Sequence, residues 1–388
     1  MKDEMKVFIA GCIGMAFFGV AFIVLGSVLP ALEAKYHLDG TQIAWLASVL
    51  PVGVLVGSLV FGPVVDKTGY QKLLIVSSAI TGLGLLGLSM TDNIFLHRLF
   101  VFVIGLGGGV LNGETNALVA EVSTPEHRGA RLSILGACYG VGALLMPMLL
   151  GACENVCSYE MILQGAALVM GLSIVYFATI KFPTSLQAQG VPLRKILGVA
   201  KKPLIWIFGI YLFMQSGLEG LFNNWSTTYL MNTSAMTNAN ALFALTMLVL
   251  GMTVMRLLLG KFLRINNQIY FLIGGIFLVI VVLLGAFLLS PISYPMVVYI
   301  GLFLIGAGLA AGFPVMIGLI SDYFTQTTGS AIGFALFLAL SGNSILNYTM
   351  GRISGGFGIR VFPIFLIALL AIQMIVIIVN KNIINKQN

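Results

Sequence analysis

Charged side chains are scarce in this chain of 388 residues. Asp, Glu, Lys and Arg make up 9% of the sequence, whereas hydrophobic residues make up 59%. A water-soluble protein with this balance could not cover its surface with polar groups. The shortage of charge therefore argues against a soluble enzyme or a soluble nucleic-acid-binding domain, and it indicates a membrane protein.

Groups that carry catalysis are also few. The chain has three histidines, and His37, His97 and His127 all fall in predicted loops or at span edges. No zinc site or histidine-based catalytic group is therefore expected within the membrane. A Gly-x-x-x-x-Gly-Lys loop for ATP phosphates is lacking too. We expect a protein that is not an enzyme and needs no cofactor or metal.

Four cysteines add little to this interpretation. Cys12 and Cys138 fall inside apolar runs, where we expect them to be packing residues. Cys153 and Cys157 lie four residues apart in a predicted loop. They could pair if that loop faces an oxidising compartment, and the sequence leaves this open.

Long apolar runs fill most of the chain. Runs of about 20 residues are long enough to cross the hydrocarbon layer as helices, and no alternating pattern favours a β-barrel. We predict an all-α membrane protein with twelve transmembrane helices in two pseudo-symmetric halves. The predicted spans are 7–29, 43–65, 72–90, 96–120, 129–151, 160–180, 203–231, 238–262, 267–289, 295–321, 327–350 and 358–380.

One longer connector, 181–202, divides the chain into an N-terminal half, 1–180, and a C-terminal half, 203–388. The halves show weak internal symmetry. Glu121 and Gly129 follow span four, and Asp322 and Gly329 follow span ten. Parallel repeats of six spans are one architecture of secondary transporters.

Basic residues predict the orientation. If the N-terminus is cytoplasmic, sixteen of the twenty Lys and Arg residues fall on the cytoplasmic side, and Lys35, Arg98, Arg352 and Arg360 fall outside. An excess of Lys and Arg in cytoplasmic loops is typical of membrane proteins. We expect both termini and the 181–202 loop in the cytoplasm.

Only two acids fall well inside a predicted span, Glu114 in span four and Glu219 in span seven. A charged side chain at the bilayer centre is costly, so such residues are functional candidates by default. Each could carry a proton or bind a substrate hydroxyl. The alternative is that a protonated Glu only bonds a neighbouring helix and holds the packing together.

Span seven also concentrates amides and aromatic residues. Gln215, Glu219 and Asn223 are spaced by four, so they share one helix face. We interpret this stripe as the lining of a water-filled path that binds substrate, with Asn224 beside it. Trp225 fits two roles, an aromatic residue at the membrane interface or a platform that stacks on a sugar ring.

Two further amide pairs are candidate ligands. Asn112 and Asn116 in span four share a face, but Glu114 points roughly 160–200° away from them at ~100° per residue. An undistorted span four therefore cannot present all three to one cavity. Asn343 and Asn347 in span eleven form a second pair. In span ten, Phe313-Pro314 is typical of a helix break.

The stretch from Gly62 to Lys72, Gly-Pro-Val-Val-Asp-Lys-Thr-Gly-Tyr-Gln-Lys, resembles the loop between spans two and three of the major facilitator superfamily. Tyr70 and Gln71 depart from it, since basic residues are usual there. The resemblance implies a transporter that works by alternating access. It also implies gating or structural roles at helix ends for Gly62, Asp66, Gly69, Glu121, Arg128 and Arg256.

A narrower resemblance concerns spans four and seven. Gly217-Leu-Glu219 with Trp225 and Tyr229, and the acid-and-amide segment around Glu114, are similar to the fucose/galactose/glucose–proton symporter branch. That branch also has an acid in span one, whereas this chain has none there. The resemblance implies uptake of a monosaccharide or amino sugar with H⁺, and the missing acid leaves the coupling ion open.

Two other functions stay open. One is a carrier of another small solute or an exporter of amphipathic compounds, which should show a larger apolar cavity. The other is a membrane sensor that keeps the fold without transporting. For the transporter, we expect a small-molecule substrate and a co-transported cation, no nucleic-acid partner, a monomer in a lipid bilayer, and location in a bacterial inner membrane.

Overall fold

The computed structural model describes residues 2–123, 125–183, 198–234, 236–262, 268–288, 294–324 and 328–385. These residues are mostly helical and contain no β-strand, so the predicted all-α fold class is confirmed. Within them, 11 helices are long and apolar enough to cross a membrane, and a shorter apolar helix covers Ile269–Gly285. Together they account for the twelve predicted spans.

The helices of the first six spans are α1 (Lys2–Tyr36), α2 (Gly40–Thr68), α3 (Tyr70–Met90), α4 (Ile94–Glu121), α5 (Pro125–Ala152) and α6 (Tyr159–Thr179). Those of the last six are α7 (Pro203–Ser234), α8 (Asn238–Phe262), α9 (Gln268–Val282), α10 (Pro295–Leu309), α11 (Gly312–Tyr323), α12 (Thr328–Phe357) and α13 (Phe362–Asn385). A π-helical turn, Leu283–Leu288, extends α9, and a 3₁₀ turn, Ile359–Val361, precedes α13. Helices α10 and α11 together form the tenth span.

Local chemistry determines several helix ends. The side chain of Asn93 caps α4 by accepting a bond from the Phe95 N–H at 2.8 Å. Ser158 caps α6 in the same way through the Met161 N–H. Gly69 has φ 78°, a conformation that favours glycine, and it alone separates α2 from α3.

By its internal contacts the chain divides into two compact units. The first contains Met1–Leu38 and Trp45–Gly190, and the second contains Asp39–Ala44 and Val191–Asn388. In the first unit, α1 packs on α4 and α5, and α3 packs on α4 and α6. In the second unit, α7 packs on α12 and α13, and α8 packs on α10. The first and fifth spans of each six therefore pack together.

Glycines bring the second and fourth spans of each six into close contact. A Cβ atom on Gly57 of α2 or Gly109 of α4 would collide with the backbone of the facing helix. Gly251 of α8 and Gly306 of α10 have the same relationship. Because lipid gives no hydrophobic driving force between helices, such close packing stabilises the bundle through van der Waals contact.

Candidate functional site

Two members of the predicted stripe on α7 meet directly. As whole residues, Gln215 is 1% exposed and Glu219 is 8% exposed. Gln215 Nε2 donates a hydrogen bond to Glu219 Oε1 at 2.8 Å. Asn223 is buried one turn further along the same face. A buried carboxylate is therefore held by an amide from its own helix.

Helix α8 supplies a cation to the same carboxylate. Arg256 Nη2 lies 3.3 Å from Glu219 Oε2 and 3.4 Å from Oε1, which makes an ion pair. The sequence placed Arg256 with the gating residues at a helix end, whereas its guanidinium lies against the buried acid. The physical reason is that a carboxylate taken out of water is strongly stabilised by a nearby counter-charge.

The same side chains reach the interruption of the tenth span. Helix α10 ends at Leu309, and α11 begins at Gly312. Pro314 has no N–H to donate to the carbonyl of Ala310, four residues before it. Gln215 Nε2 donates to the Leu309 carbonyl at 2.9 Å, and Arg256 Nε lies 3.5 Å from that of Ala310.

Two members of this network were missed by reasoning from the sequence. Gln373 of α13 donates its Nε2 hydrogen to Gln215 Oε1 at 3.0 Å, and the Tyr211 hydroxyl lies 3.5 Å from the same oxygen. Gln373 is fully buried in an otherwise apolar span. A lone amide in such a span is the signal that could have identified it.

A second polar cluster joins α7 to α12. Asn347 Oδ1 accepts from Asn224 Nδ2 and from the Trp225 indole N–H, both at 3.1 Å. Asn347 Nδ2 donates to Asn343 Oδ1 at 3.0 Å, and Asn343 Nδ2 donates to the Ser216 carbonyl at 2.9 Å. The predicted residues Asn224, Trp225 and Asn343 thus belong to one connected set, which we call the amide ladder.

Burial of the aromatic residues limits their roles. Trp225 is 1% exposed and Tyr229 is 5% exposed. Tyr229 packs against Phe362 with ring centroids 5.5 Å apart. An interfacial aromatic belt needs side chains on the lipid-facing surface, so neither burial value fits that role. Contact between Trp225 and a sugar ring stays a prediction.

In the first unit, Glu114 is separated from its neighbouring amides. Its side chain is fully buried, and the Ser77 hydroxyl lies 3.4 Å from Glu114 Oε2. Oε1 has no hydrogen-bond partner in the part of the chain that the structure describes. Asn116 is exposed and donates to Asn112 Oδ1 at 3.1 Å. As expected from the helical rotation, these amides do not contact the acid.

Three of the predicted gating residues, Asp66, Gly69 and Glu121, lie at or near the ends of α2, α3 and α4. The Tyr70 hydroxyl donates a hydrogen bond to Glu121 Oε2 at 2.7 Å. Tyr70 departs from the superfamily loop pattern, and it binds the predicted gating residue Glu121. Gly69 has its positive φ between α2 and α3, and Asp66 is exposed near the end of α2. Gly62 lies within α2. The side chain of Arg128 lies outside the described residues.

Comparison with known families decides the identity of this fold. The family model described as Major Facilitator Superfamily matches residues 11–347. The chain belongs to the major facilitator superfamily. Its family and fold are those of transporters rather than of enzymes, and it is a multi-pass membrane protein.

Relatives within the superfamily carry different substrates. The glucose/mannose transporter GlcP of Bacillus subtilis is 23% identical over 359 residues, which cover 87% of this chain and 86% of that protein. The crystal structure of a mutant of the nucleoside transporter NupG matches with a TM-score of 0.80 at 13% identity, covering 97% of this chain and 99% of that chain. The D-xylose-proton symporter matches with a TM-score of 0.76 at 13% identity, covering 96% and 97% of the two chains.

Proposed function

We propose that this superfamily member takes up a monosaccharide or amino sugar by symport with a proton. The observation that carries the proposal is Glu219, a membrane-buried acid bonded to Arg256 and Gln215 beside an interrupted helix. Similarity to a glucose/mannose transporter supports the substrate class. A fold shared with a D-xylose-proton symporter is compatible with proton coupling.

Protonation of Glu219 provides the coupling step. A neutral carboxyl holds a guanidinium far less strongly than a carboxylate does, because the Coulomb attraction is removed. Gln215 also donates to the Leu309 carbonyl, and Arg256 contacts the Ala310 carbonyl. A proton on Glu219 therefore loosens contacts at the break of the tenth span, where the helix lacks a complete hydrogen-bond ladder.

The amides provide the binding surface. Asn223, Asn224, Asn343 and the carboxamide of Gln215 offer both donors and acceptors, which match the hydroxyl groups of a sugar. Asn112 and Asn116 are the corresponding candidates in the first unit. Glu114 is the second candidate for a coupling acid, because its buried Oε1 has no hydrogen-bond partner among the described residues.

The proposed setting follows from the distribution of basic residues. We place the protein in the bacterial inner membrane with both termini in the cytoplasm. The protein works by alternating access, and the 181–202 loop lies in the cytoplasm. Asp66, Glu121, Arg128 and neighbouring glycines stabilise closed states. The protein acts as a monomer.

Uptake into proteoliposomes tests the proposal. A panel of radiolabelled sugars is offered with an inward proton gradient and with that gradient collapsed. The expected result is accumulation of one sugar only with the gradient. Glu219→Gln should abolish accumulation and keep exchange of labelled for unlabelled sugar. If no sugar accumulates in the wild type under either condition, the proposed function is wrong.

A matched control separates coupling from a general effect of removing an acid. Glu160 of α6 is also ion-paired, to Lys35 at 3.0 Å, but it lies in the other unit at the start of its helix. Glu160→Gln removes the same charge and should leave accumulation unchanged. Equal losses of sugar accumulation in both variants would contradict a specific coupling role for Glu219.

One observation favours the exporter as second candidate. A largely apolar cavity of about 450 Å³ lies within the second unit, lined by residues of α8, α9 and α10 that include Met255, Phe271 and Leu278. Apolar walls suit a lipophilic compound better than a sugar. Inhibition of transport by lipophilic cations, without gradient-driven sugar accumulation, would favour the exporter over the symporter.

A further inference from the structure

Arg256 is a cation whose charge is balanced in this structure by a single acid. Its guanidinium pairs with Glu219, and no other ion pair to Arg256 occurs among the described side chains. The other described members of this network are uncharged: Gln215 contacts Glu219, Tyr211 and the Leu309 carbonyl, and Arg256 contacts the Ala310 carbonyl. Glu219 and Arg256 are therefore the charged members of this network among the described residues, and their charges cancel.

Protonation of Glu219 upsets that balance. The acid becomes neutral, and Arg256 keeps its charge because a guanidinium is not deprotonated in proteins. Arg256 then has no counter-charge in this network, which is unfavourable for a partly buried cation. Within the described network, only carbonyl and amide oxygens could then receive Arg256. A neutral sugar adds hydroxyl dipoles but no negative charge.

The contacts of Arg256 are also long, so a competing anion can replace them. They measure 3.3 and 3.4 Å to the carboxylate and 3.5 Å to the Ala310 carbonyl, whereas strong charge-assisted bonds measure about 2.7–2.9 Å. The Arg256 side chain is 31% exposed and that of Glu219 is 10% exposed. An incoming anion can thus reach the guanidinium more easily than it can reach the acid.

We propose that the substrate is an acidic monosaccharide, a uronate or an aldonate, whose carboxylate replaces that of Glu219 on Arg256. The inference rests on the proposed function, in which Glu219 carries the coupling proton. A proton binds the Glu219 carboxylate, and the substrate carboxylate then pairs with Arg256. On the other side, Glu219 releases the proton and recovers Arg256 as the substrate leaves.

This exchange makes a specific electrical prediction. One proton and one monoanionic sugar carry no net charge, so the membrane potential should not drive uptake. One proton with a neutral sugar carries one positive charge, which a negative-inside potential would drive. The response to the potential therefore distinguishes an acidic from a neutral substrate, even before the particular sugar is known.

The test uses full-length protein in proteoliposomes. Glucuronate, galacturonate and gluconate are compared with glucose, galactose and glucosamine under an inward proton gradient, with the potential set by potassium and valinomycin. We expect at least tenfold higher accumulation of one acid than of any neutral or amino sugar, unchanged between zero and negative-inside potential.

Binding measurements protect the test against loss of transport through misfolding. In detergent, the selected acid should raise the midpoint of thermal unfolding more at pH 5.5 than at pH 8, because protonated Glu219 leaves Arg256 free. The double variant Glu219→Gln/Arg256→Gln keeps the site neutral and should lose this shift. An acid-induced shift of wild-type size in the double variant would overturn the inference.

Two outcomes separate this inference from the proposed function. If a neutral or amino sugar accumulates with the gradient and a hundredfold excess of each acid does not compete, the acidic substrate is wrong and proton–sugar symport stands. If neither acids nor uncharged sugars accumulate, the proposed function itself is wrong, and the inference falls with it.

Discussion

Gln215 of α7 donates a hydrogen bond to the Leu309 carbonyl at 2.9 Å, where the tenth span is interrupted. The same amide nitrogen lies 2.8 Å from Glu219. A single side chain therefore connects the buried acid to the end of α10. Any change in the charge of Glu219 alters the hydrogen bonding of Gln215, and through it the support of a helix end that has lost its regular ladder.

Replacing Gln215 with Leu should reduce both stability and transport. In the variant, the Leu309 carbonyl and Glu219 each lose the hydrogen bond that Gln215 Nε2 donates. An unsatisfied buried polar group costs about 1–3 kcal/mol, so the free energy of unfolding should fall by that order. Gradient-driven uptake should fall at least tenfold. Thermal unfolding in detergent and proteoliposome uptake measure the two effects.

Gln71 of α3 offers a matched control for that variant. Its Nε2 also caps backbone carbonyls, those of Phe177 at 3.1 Å and Ile180 at 2.9 Å at the end of α6. Gln71→Leu should lower stability by a smaller amount, since this site is less buried, and leave uptake unchanged. If uptake falls equally in both variants, carbonyl capping alone explains the effect of Gln215.

The amide ladder predicts coupling between Trp225 and Asn347. Asn347→Leu removes the oxygen that accepts hydrogen bonds from both Asn224 and Trp225. The free energy of unfolding should fall by about 1–3 kcal/mol for each buried donor that loses its acceptor. Trp225→Phe should cost less in the Asn347→Leu background than in the wild type. A double-mutant cycle on the free energy of unfolding measures this, and additive costs would contradict the shared acceptor.

Close packing of α1 on α5 predicts a position-dependent effect of adding a methyl group. A Cβ on Gly142 would collide with the Ala16 backbone, whereas one on Gly136 of the same helix meets open space. Gly142→Ala should lower stability by about 1–3 kcal/mol. Gly136→Ala should be neutral or slightly stabilising, because alanine favours a helix more than glycine. Similar unfolding temperatures for both variants would contradict the packing.

The register of α1 and α5 can be tested with native cysteines. Cys12 and Cys138 each lie one turn before the contact between Ala16 and Gly142, so the register of α1 and α5 places them next to each other. o-Phenylenedimaleimide should therefore link them in a background with Cys153→Ser and Cys157→Ser.

The linked peptides should be detected by mass spectrometry and should vanish when Cys12 is replaced by Ser. Both thiols are partly exposed and free, so alkylation by N-ethylmaleimide shows whether the reagent can reach them. Alkylation of both cysteines without any cross-link would rule out this register.

Much of the fold follows from the sequence because the membrane restricts the choices. Apolar runs of sufficient length must be helices, since every backbone polar group needs a partner in lipid. The tenth span shows the limit. Pro314 indicates an interruption, but the structure places it at Ala310 and Ala311. Pro314 lacks the N–H that would bond the Ala310 carbonyl, so the interruption lies four residues before the proline. Its position also depends on Gln215 and Arg256, which come from other helices and contact the Leu309 and Ala310 carbonyls, respectively.

Within the candidate site, local periodicity identifies one face but not its partners. The spacing of Gln215 and Glu219 places them together, as the structure has them. Arg256 and Gln373 reach them from distant parts of the chain, and no pattern along the sequence connects residues so far apart. The resemblance to the superfamily assigned Arg256 a gating role at a helix end. A buried acid should have prompted a search for a buried base in the same half.

Proton movement coupled to sugar uptake tests the central claim most directly. Proteoliposomes that contain the pH dye pyranine start with equal pH on both sides, and the transported sugar is added outside. The account predicts acidification of the interior as sugar enters the wild type, and none in Glu219→Gln, although that variant still exchanges labelled for unlabelled sugar. Entry of sugar into wild-type vesicles without any acidification would contradict proton symport through Glu219.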